Sequence, residues 1–121
     1  MLFRSDNVAL AARWLQREGL AERVLIVDWD VHHGNGTQDI FWEDPSVFFL
    51  SLHQFPHWPG TGAAEERGGG AGAGWTRNVP VAPWTPRDEY LRMFEEAVDA
   101  MRYLESGSHF GKVCIRIGGG A

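Results

Sequence analysis

From Asn7 to Glu18 the apolar residues Val8, Ala11, Ala12 and Leu15 recur at helical spacing and Gly19 supplies a stop, so the first element reads as a helix. Arg23 to Asp30 carries the run Val24-Leu25-Ile26-Val27, apolar on both faces as in a central parallel strand covered by helices. Gly34-Asn35-Gly36 breaks that strand, and Thr37 to Glu43 reads as a short helix ending before Pro45. A second buried strand is predicted at Val47-Phe48-Phe49-Leu50-Ser51-Leu52. His53 to Pro83 shows no clear period and is rich in Gly, Pro and Trp, the mark of a long functional or disordered loop. Trp58, Trp75 and Trp84 favour packing over disorder, whereas the glycines at 68 to 74 read as a flexible loop. Thr85-Pro86-Arg87-Asp88 is a helix start with Thr85 as N-cap. Tyr90, Leu91, Phe94, Ala97, Val98, Met101 and Leu104 then trace one helix face up to Gly107, and a last strand runs from Lys112 to Ile117.

This alternation predicts an α/β protein, a three-layer α/β/α arrangement around a mainly parallel sheet, with any site at the strand C-termini. Composition narrows the class. With 121 residues, 44% hydrophobic and 22% charged, the chain holds one domain or less. Its net charge of -5, with Lys112 as sole lysine, argues against direct nucleic-acid binding and suits a cationic substrate better. Cys114, alone within Val113-Cys114-Ile115, reads as a buried thiol in a reducing compartment, which excludes a disulfide framework or a multi-cysteine zinc site. No secretory signal or stretch of about 18 apolar residues occurs, so no membrane span is expected and the cytoplasm is the default location.

Candidate chemistry concentrates where the first strand ends. On a strand of period 2, Asp28, Asp30 and His32 share one face while Trp29 and Val31 take the other. Two anions beside a hydrophobic run are costly unless something positive neutralises them, which makes a metal site the first hypothesis. A lone Asp-x-His would more often be a solvated strand-end cluster. Ser51 and His53 reach the same edge if the strands are parallel, but Ser51 lacks the neighbouring base a nucleophile needs. His33 has no assigned role, and His53, His57 and His109 read as structural or exposed. The Gly-x-Gly-x-x-Ala match within 68 to 74 follows no strand, so nucleotide binding is not expected there.

Val-Asp-Trp-Asp-Val-His-His-Gly-Asn-Gly-Thr-Gln (27 to 38), Ser-Leu-His-Gln (51 to 54) and Pro-Gly-Thr-Gly (59 to 62) occur in that order. Together with Asn7-Val8-Ala9 and Asn78-Val79-Pro80, they resemble the histone deacetylase superfamily, which includes acetoin-utilisation and acetylpolyamine amidohydrolase types. The resemblance implies an arginase/deacetylase-like α/β fold and zinc-dependent hydrolysis of acetyl-lysine or a small acetylated amine. It implies that Asp30 and His32 are two of three zinc ligands. Asp28 would bind a structural potassium ion and orient a catalytic histidine, with Ser51 and the backbone around Asp30, His32 and Leu52 completing the cation site. Trp58 would form an aromatic wall of the acyl-lysine channel beside Gly60, with His57 near its mouth.

The departures are equally specific. The family's paired general-base histidines precede the segment that begins here. Its third zinc ligand, an Asp, falls where this chain has Gly118-Gly119-Gly120, and its oxyanion-supporting Tyr falls beyond residue 121. Residues 1–121 are therefore read as the central portion of a deacetylase domain, truncated at both ends and inactive in isolation, with exposed sheet edges open to self-association. Two alternatives stand beside this reading. One is a non-catalytic remnant or pseudoenzyme scaffold. The other is a haloacid dehalogenase-type phosphatase, echoed by Asp28-x-Asp30 and Ser51 but opposed by His32.

Overall fold

The computed structural model describes residues 6–105 and 114–117. Helix α1 (Asn7–Arg17) is followed by strand β1 (Val24–Asp28), helix α2 (Asn35–Ile40) and strand β2 (Val47–Gln54). Strand β3 (Thr76–Val81), helix α3 (Arg87–Glu105) and strand β4 (Cys114–Ile117) complete the order. All strand pairings are parallel, in the order β3-β2-β1-β4. His109, Lys112, Val113 and Gly118–Gly120 lie outside the described residues, as do the side chains of Met101, Leu104 and Cys114, so the readings placed on them are not addressed.

Local chemistry sets the element ends. Asp6 caps α1 by accepting the Ala9 N–H at 3.0 Å, and its second oxygen accepts the Thr37 hydroxyl at 2.6 Å. The same carboxylate therefore ends one helix and ties it to the next. Gly19, at φ +70°, supplies the left-handed residue that turns the chain from α1 towards β1. Strand β1 stops at Asp28 rather than Asp30, because Asp28 Oδ1 accepts the Asp30 N–H at 3.0 Å and bends the backbone out of the ladder.

Period-2 alternation then sorts the core into two layers. Val24 and Ile26 of β1 and Val47 and Phe49 of β2 pack with Ala9, Ala12 and Phe41 on the α1 side. Val27, Phe48, Leu50 and Leu52 pack with Ala97, Tyr90, Phe94 and Val98 on the α3 side. Both sheet faces are covered, as the three-layer expectation requires. The fully buried large side chains among them, Ile26, Phe41, Val47, Phe49, Leu50 and Leu52, are each worth roughly 1.5–3 kcal/mol of apolar transfer.

Several expectations change. Strand β3 lies inside the stretch read as aperiodic: its inward positions Thr76 and Asn78 are polar, so no apolar alternation marks it. Pro80 is tolerated because β3 is an edge strand among the described residues. The glycine-rich segment is packed rather than loose, with Gly70–Gly72 forming a 3-10 turn. A Cβ on Gly69 would lie 2.5 Å from Trp42 Nε1, and one on Gly72 2.5 Å from the Trp42 carbonyl. Thr85 does not cap α3; its hydroxyl donates to the Ala82 carbonyl at 2.7 Å, and the first helical turn closes from Tyr90 N–H to Pro86 O at 3.0 Å. Trp75 packs on Phe48, but Trp84 is 98% exposed at φ +64° and Leu91 stands half out of the α3 stripe.

Phe49→Ala is expected to cost about 3–5 kcal/mol in urea unfolding, whereas Leu91→Ala should cost under roughly 0.5 kcal/mol. Equal losses at the two positions would contradict this core assignment.

Candidate metal centre and the polar network beneath it

At the C-terminal edge of the sheet the register aligns three polar side chains in one row: Asp28 of β1 opposite Ser51 of β2, and Ser51 opposite Asn78 of β3. All three are buried, on the α1 side of the sheet. The Asp28 carboxylate sits there with the Asp30 N–H on Oδ1. A Cβ on Gly34 would lie 2.6 Å from its Oδ2, so only glycine lets the backbone approach it. Burial, reinforced by the nearby charges of Asp30 and Asp6, pushes the Asp28 carboxyl up from 3.8 to about 6. This is an anion short of positive partners.

Asp30 and His32 stand just outside, on the turn that follows. Asp30 Oδ1 accepts the His32 N–H at 2.8 Å and lies 3.3 Å from His32 Nδ1. Two ligand atoms at about 2.0–2.1 Å from a tetrahedral zinc lie roughly 3.3–3.4 Å apart, so this donor pair fits one edge of such a site. The three-residue convergence expected from strand alternation is not formed. Asp28 turns into the interior while Asp30 and His32 face outward, and no group of three His, Cys, Asp or Glu side chains suited to a metal occurs among the described residues. The His57 ring stacks on His32 at 5.0 Å, and Trp58, 74% exposed, meets the same ring edge-on at 6.2 Å. Gly60 follows at φ +87° with open space around it. Leu52 is fully buried on the α3 side, so it can offer this edge only its backbone.

Beneath the turn lies a hydrogen-bond network that sequence reasoning missed. Glu66 Oε1 accepts the Gly62 and Ala63 N–H groups at 3.0 and 3.1 Å, and Oε2 accepts Gln38 Nε2 at 2.6 Å. Gln38 Oε1 accepts Asn78 Nδ2 at 2.7 Å and contacts His33 Nε2 at 2.9 Å, so that His33 nitrogen carries the hydrogen. His33 Nδ1 then accepts the Thr61 hydroxyl at 2.7 Å. Gly62, at φ +94°, presses so closely that a Cβ would lie within 2.7 Å of both the His53 and His33 rings. Burial holds both histidines below their ordinary value, as neutral imidazoles. Glu66 is pushed up by burial but held lower by its Gln38, Ala63 and Gly62 donors. No apolar period signals Gln38, Glu66 or Asn78; Gln38 and Asn78 lie inside the quoted motifs, and Glu66 follows Pro59-Gly60-Thr61-Gly62.

The histone deacetylase domain family matches residues 5–105. The chain belongs to the histone deacetylase family. It is 46% identical over 94 residues to a probable deacetylase of Archaeoglobus fulgidus, covering 78% of this chain and 26% of that protein. In structure it resembles a histone deacetylase homologue from Aquifex aeolicus, with TM-score 0.79 and 30% identity over 89% of this chain and 29% of that one. An acetylpolyamine aminohydrolase from Burkholderia pseudomallei gives TM-score 0.75 and 32% identity over 80% of this chain and 29% of that one. The chain therefore spans a little over a quarter of the length of these relatives, and its α/β/α fold is arginase/deacetylase-like. The phosphatase alternative falls with this membership. Among the described residues no helix is long and apolar enough to cross a membrane.

The raised Asp28 value carries a sign. Its contribution to stability is fully present below the unfolded value of 3.8 and is lost as pH rises through about 6. The lowered His33 and His53 act oppositely, costing stability as pH falls below 6.5. Asp28→Asn keeps the acceptor for Asp30 N–H without the charge. In choline buffer without added metal it should gain about 2–3 kcal/mol at pH 7.5 and nothing near pH 3, read by urea unfolding. A pH-independent effect would contradict the buried charge. Glu66→Ala should cost about 2–4 kcal/mol in the same measurement, since three donors lose their acceptor.

Proposed function

We propose that residues 1–121 form the central portion of a zinc-dependent deacetylase domain that hydrolyses an acetyl-lysine or a small acetylated amine to acetate and the free amine. The observation that carries this reading is the Asp30 Oδ1 and His32 Nδ1 pair, 3.3 Å apart at the strand C-termini of a histone deacetylase-family sheet. Support for the substrate class comes from one structural relative, an acetylpolyamine aminohydrolase.

Asp30 and His32 would hold the zinc, which when bound supplies a Lewis acid for the amide carbonyl and the attacking water. The protein's own contributions are positional. The Asp30 side chain fixes the turn by taking the His32 N–H, so both donors arrive together. His57 and Trp58 flank the His32 ring and form an aromatic approach to it, Trp58 as the channel wall beside Gly60. Asp28, Ser51 and the Leu52 backbone would hold a potassium ion, and the fit rests on a buried carboxylate that lacks a counter-charge. Asp28 would also orient a catalytic histidine. We place the chain in the cytoplasm.

A second reading has its own observation. With two outward donors and no group of three His, Cys, Asp or Glu side chains suited to a metal among the described residues, the chain by itself is a weak metal binder and a non-catalytic scaffold. Turnover and zinc binding together test the metal assignment and the inactivity of the chain alone. Wild-type chain with added zinc should show negligible turnover of an acetyl-lysine reporter, while zinc affinity in titration calorimetry should fall about tenfold on His32→Ala. Chelator-sensitive turnover abolished by His32→Ala would mean that the chain alone is catalytic; zinc binding unaffected by His32→Ala would remove the metal assignment.

A further inference from the structure

His53 belongs to no role derived above, yet it is fully buried and makes two hydrogen bonds that together determine one hydrogen position. Its Nε2 lies 2.8 Å from the Gly62 carbonyl, which can only accept, so Nε2 carries the hydrogen. Its Nδ1 lies 2.9 Å from Ser51 Oγ. The ring has 1% exposure, stands 4.7 Å from the His33 ring and has no carboxylate among its hydrogen-bond partners, conditions under which an imidazole is neutral. Nδ1 of a neutral imidazole protonated on Nε2 is an acceptor, so the Ser51 hydroxyl donates to it.

The consequence lies on the other side of Ser51. Ser51 and Asp28 are register partners on adjacent parallel strands, and their side chains emerge on one face. A free Ser51 hydroxyl next to a buried carboxylate would donate to it, because a hydrogen bond to an ionised acceptor is the stronger option. The hydroxyl hydrogen is instead committed to His53, which leaves Ser51 with lone pairs alone and leaves the carboxylate without that donor. A buried oxygen cluster stripped of its hydrogens suits a dehydrated monovalent cation.

We propose that His53 is a positioning residue that makes Ser51 a cation ligand, by drawing the hydroxyl hydrogen away from Asp28. The proposal rests on the cation reading of Asp28 and Ser51 given above and adds the group that selects a cation over an internal hydrogen bond. The Gly62 carbonyl, held through Glu66, fixes the tautomer, so the loop after Trp58 is coupled to the cation site through a single imidazole.

Two substitutions divide the functions of the ring. His53→Asn keeps an acceptor close to the position of Nδ1 and loses the donor to Gly62. His53→Gln keeps a donor close to Nε2 and loses the acceptor for Ser51. The readout is the rise in thermal midpoint with potassium chloride over choline chloride at equal ionic strength, converted to an apparent cation affinity by linkage. Wild type should show the rise and His53→Asn should retain it, whereas His53→Gln and Ser51→Ala should weaken the affinity by about tenfold or more. Nitrogen-correlated NMR of the wild-type chain should show His53 with its hydrogen on Nε2. A purely structural role for His53 predicts equal loss in both His53 variants, and that result overturns the proposal, as does a hydrogen on Nδ1. A rise that survives His53→Gln unchanged rejects the role of His53 alone. No rise in wild type rejects the cation site itself, and the proposal with it.

Discussion

A carboxylate buried in a nearly dry sheet is the constraint around which this edge of the protein is organised. Asp28 ends a strand whose other residues are apolar, and burial, with the charges of Asp30 and Asp6 nearby, moves its carboxyl to about 6. A charge in that position has to be surrounded by dipoles and kept from water. The backbone answers with the Asp30 N–H and with a glycine at 34 that lets α2 close over the carboxylate. Strand β2 answers with Ser51 in register, and β3 with Asn78 one strand further. The polar row persists because α2 and the loop after β2 cover it, and those covering pieces supply Gln38, His33 and Glu66 as partners.

That covering couples the interior to the surface turn. His33 and His53 sit with their rings 4.7 Å apart beneath Gly62, whose lack of a side chain is what allows both to fit. Glu66 gathers Gly62, Ala63 and Gln38 onto one carboxylate, so the loop that carries His57 and Trp58 is tied to helix α2 and strand β3 at once. The His32 ring lies against His57 and Trp58 as well as beside Asp30. The placement of the outer donors and the order of the inner network are thus two consequences of the same packing.

Legibility followed apolar content. Helix α1, strands β1 and β2 and the α3 stripe were readable because burial selects Val, Ile, Leu and Phe at fixed periods, and the ordered motifs around Asp28, Ser51 and Pro59 pointed to the family. Strand β3 was not readable. Its inward residues Thr76 and Asn78 are polar; Asn78 serves the row rather than the core, and hydrogen-bonding positions carry no periodic signature. Nor did alternation place the site correctly. It put Asp28, Asp30 and His32 on one face, whereas the side-chain hydrogen bonds of Asp28 and Asp30 end the strand and send the two acids in opposite directions.

What the sequence by itself determined is therefore the layered parallel sheet, the family and the identity of the residues at the strand ends, since all three follow from residue type and local spacing. The tertiary structure alone decided which polar groups are buried together: Asp28 with Ser51, Gln38 with Glu66 across 28 residues, and Asn78 with Gln38 across 40. Such pairs are created by strand register and helix packing between distant segments. Their energies depend on burial and hydrogen-bond geometry, neither of which is written in a residue's immediate neighbours.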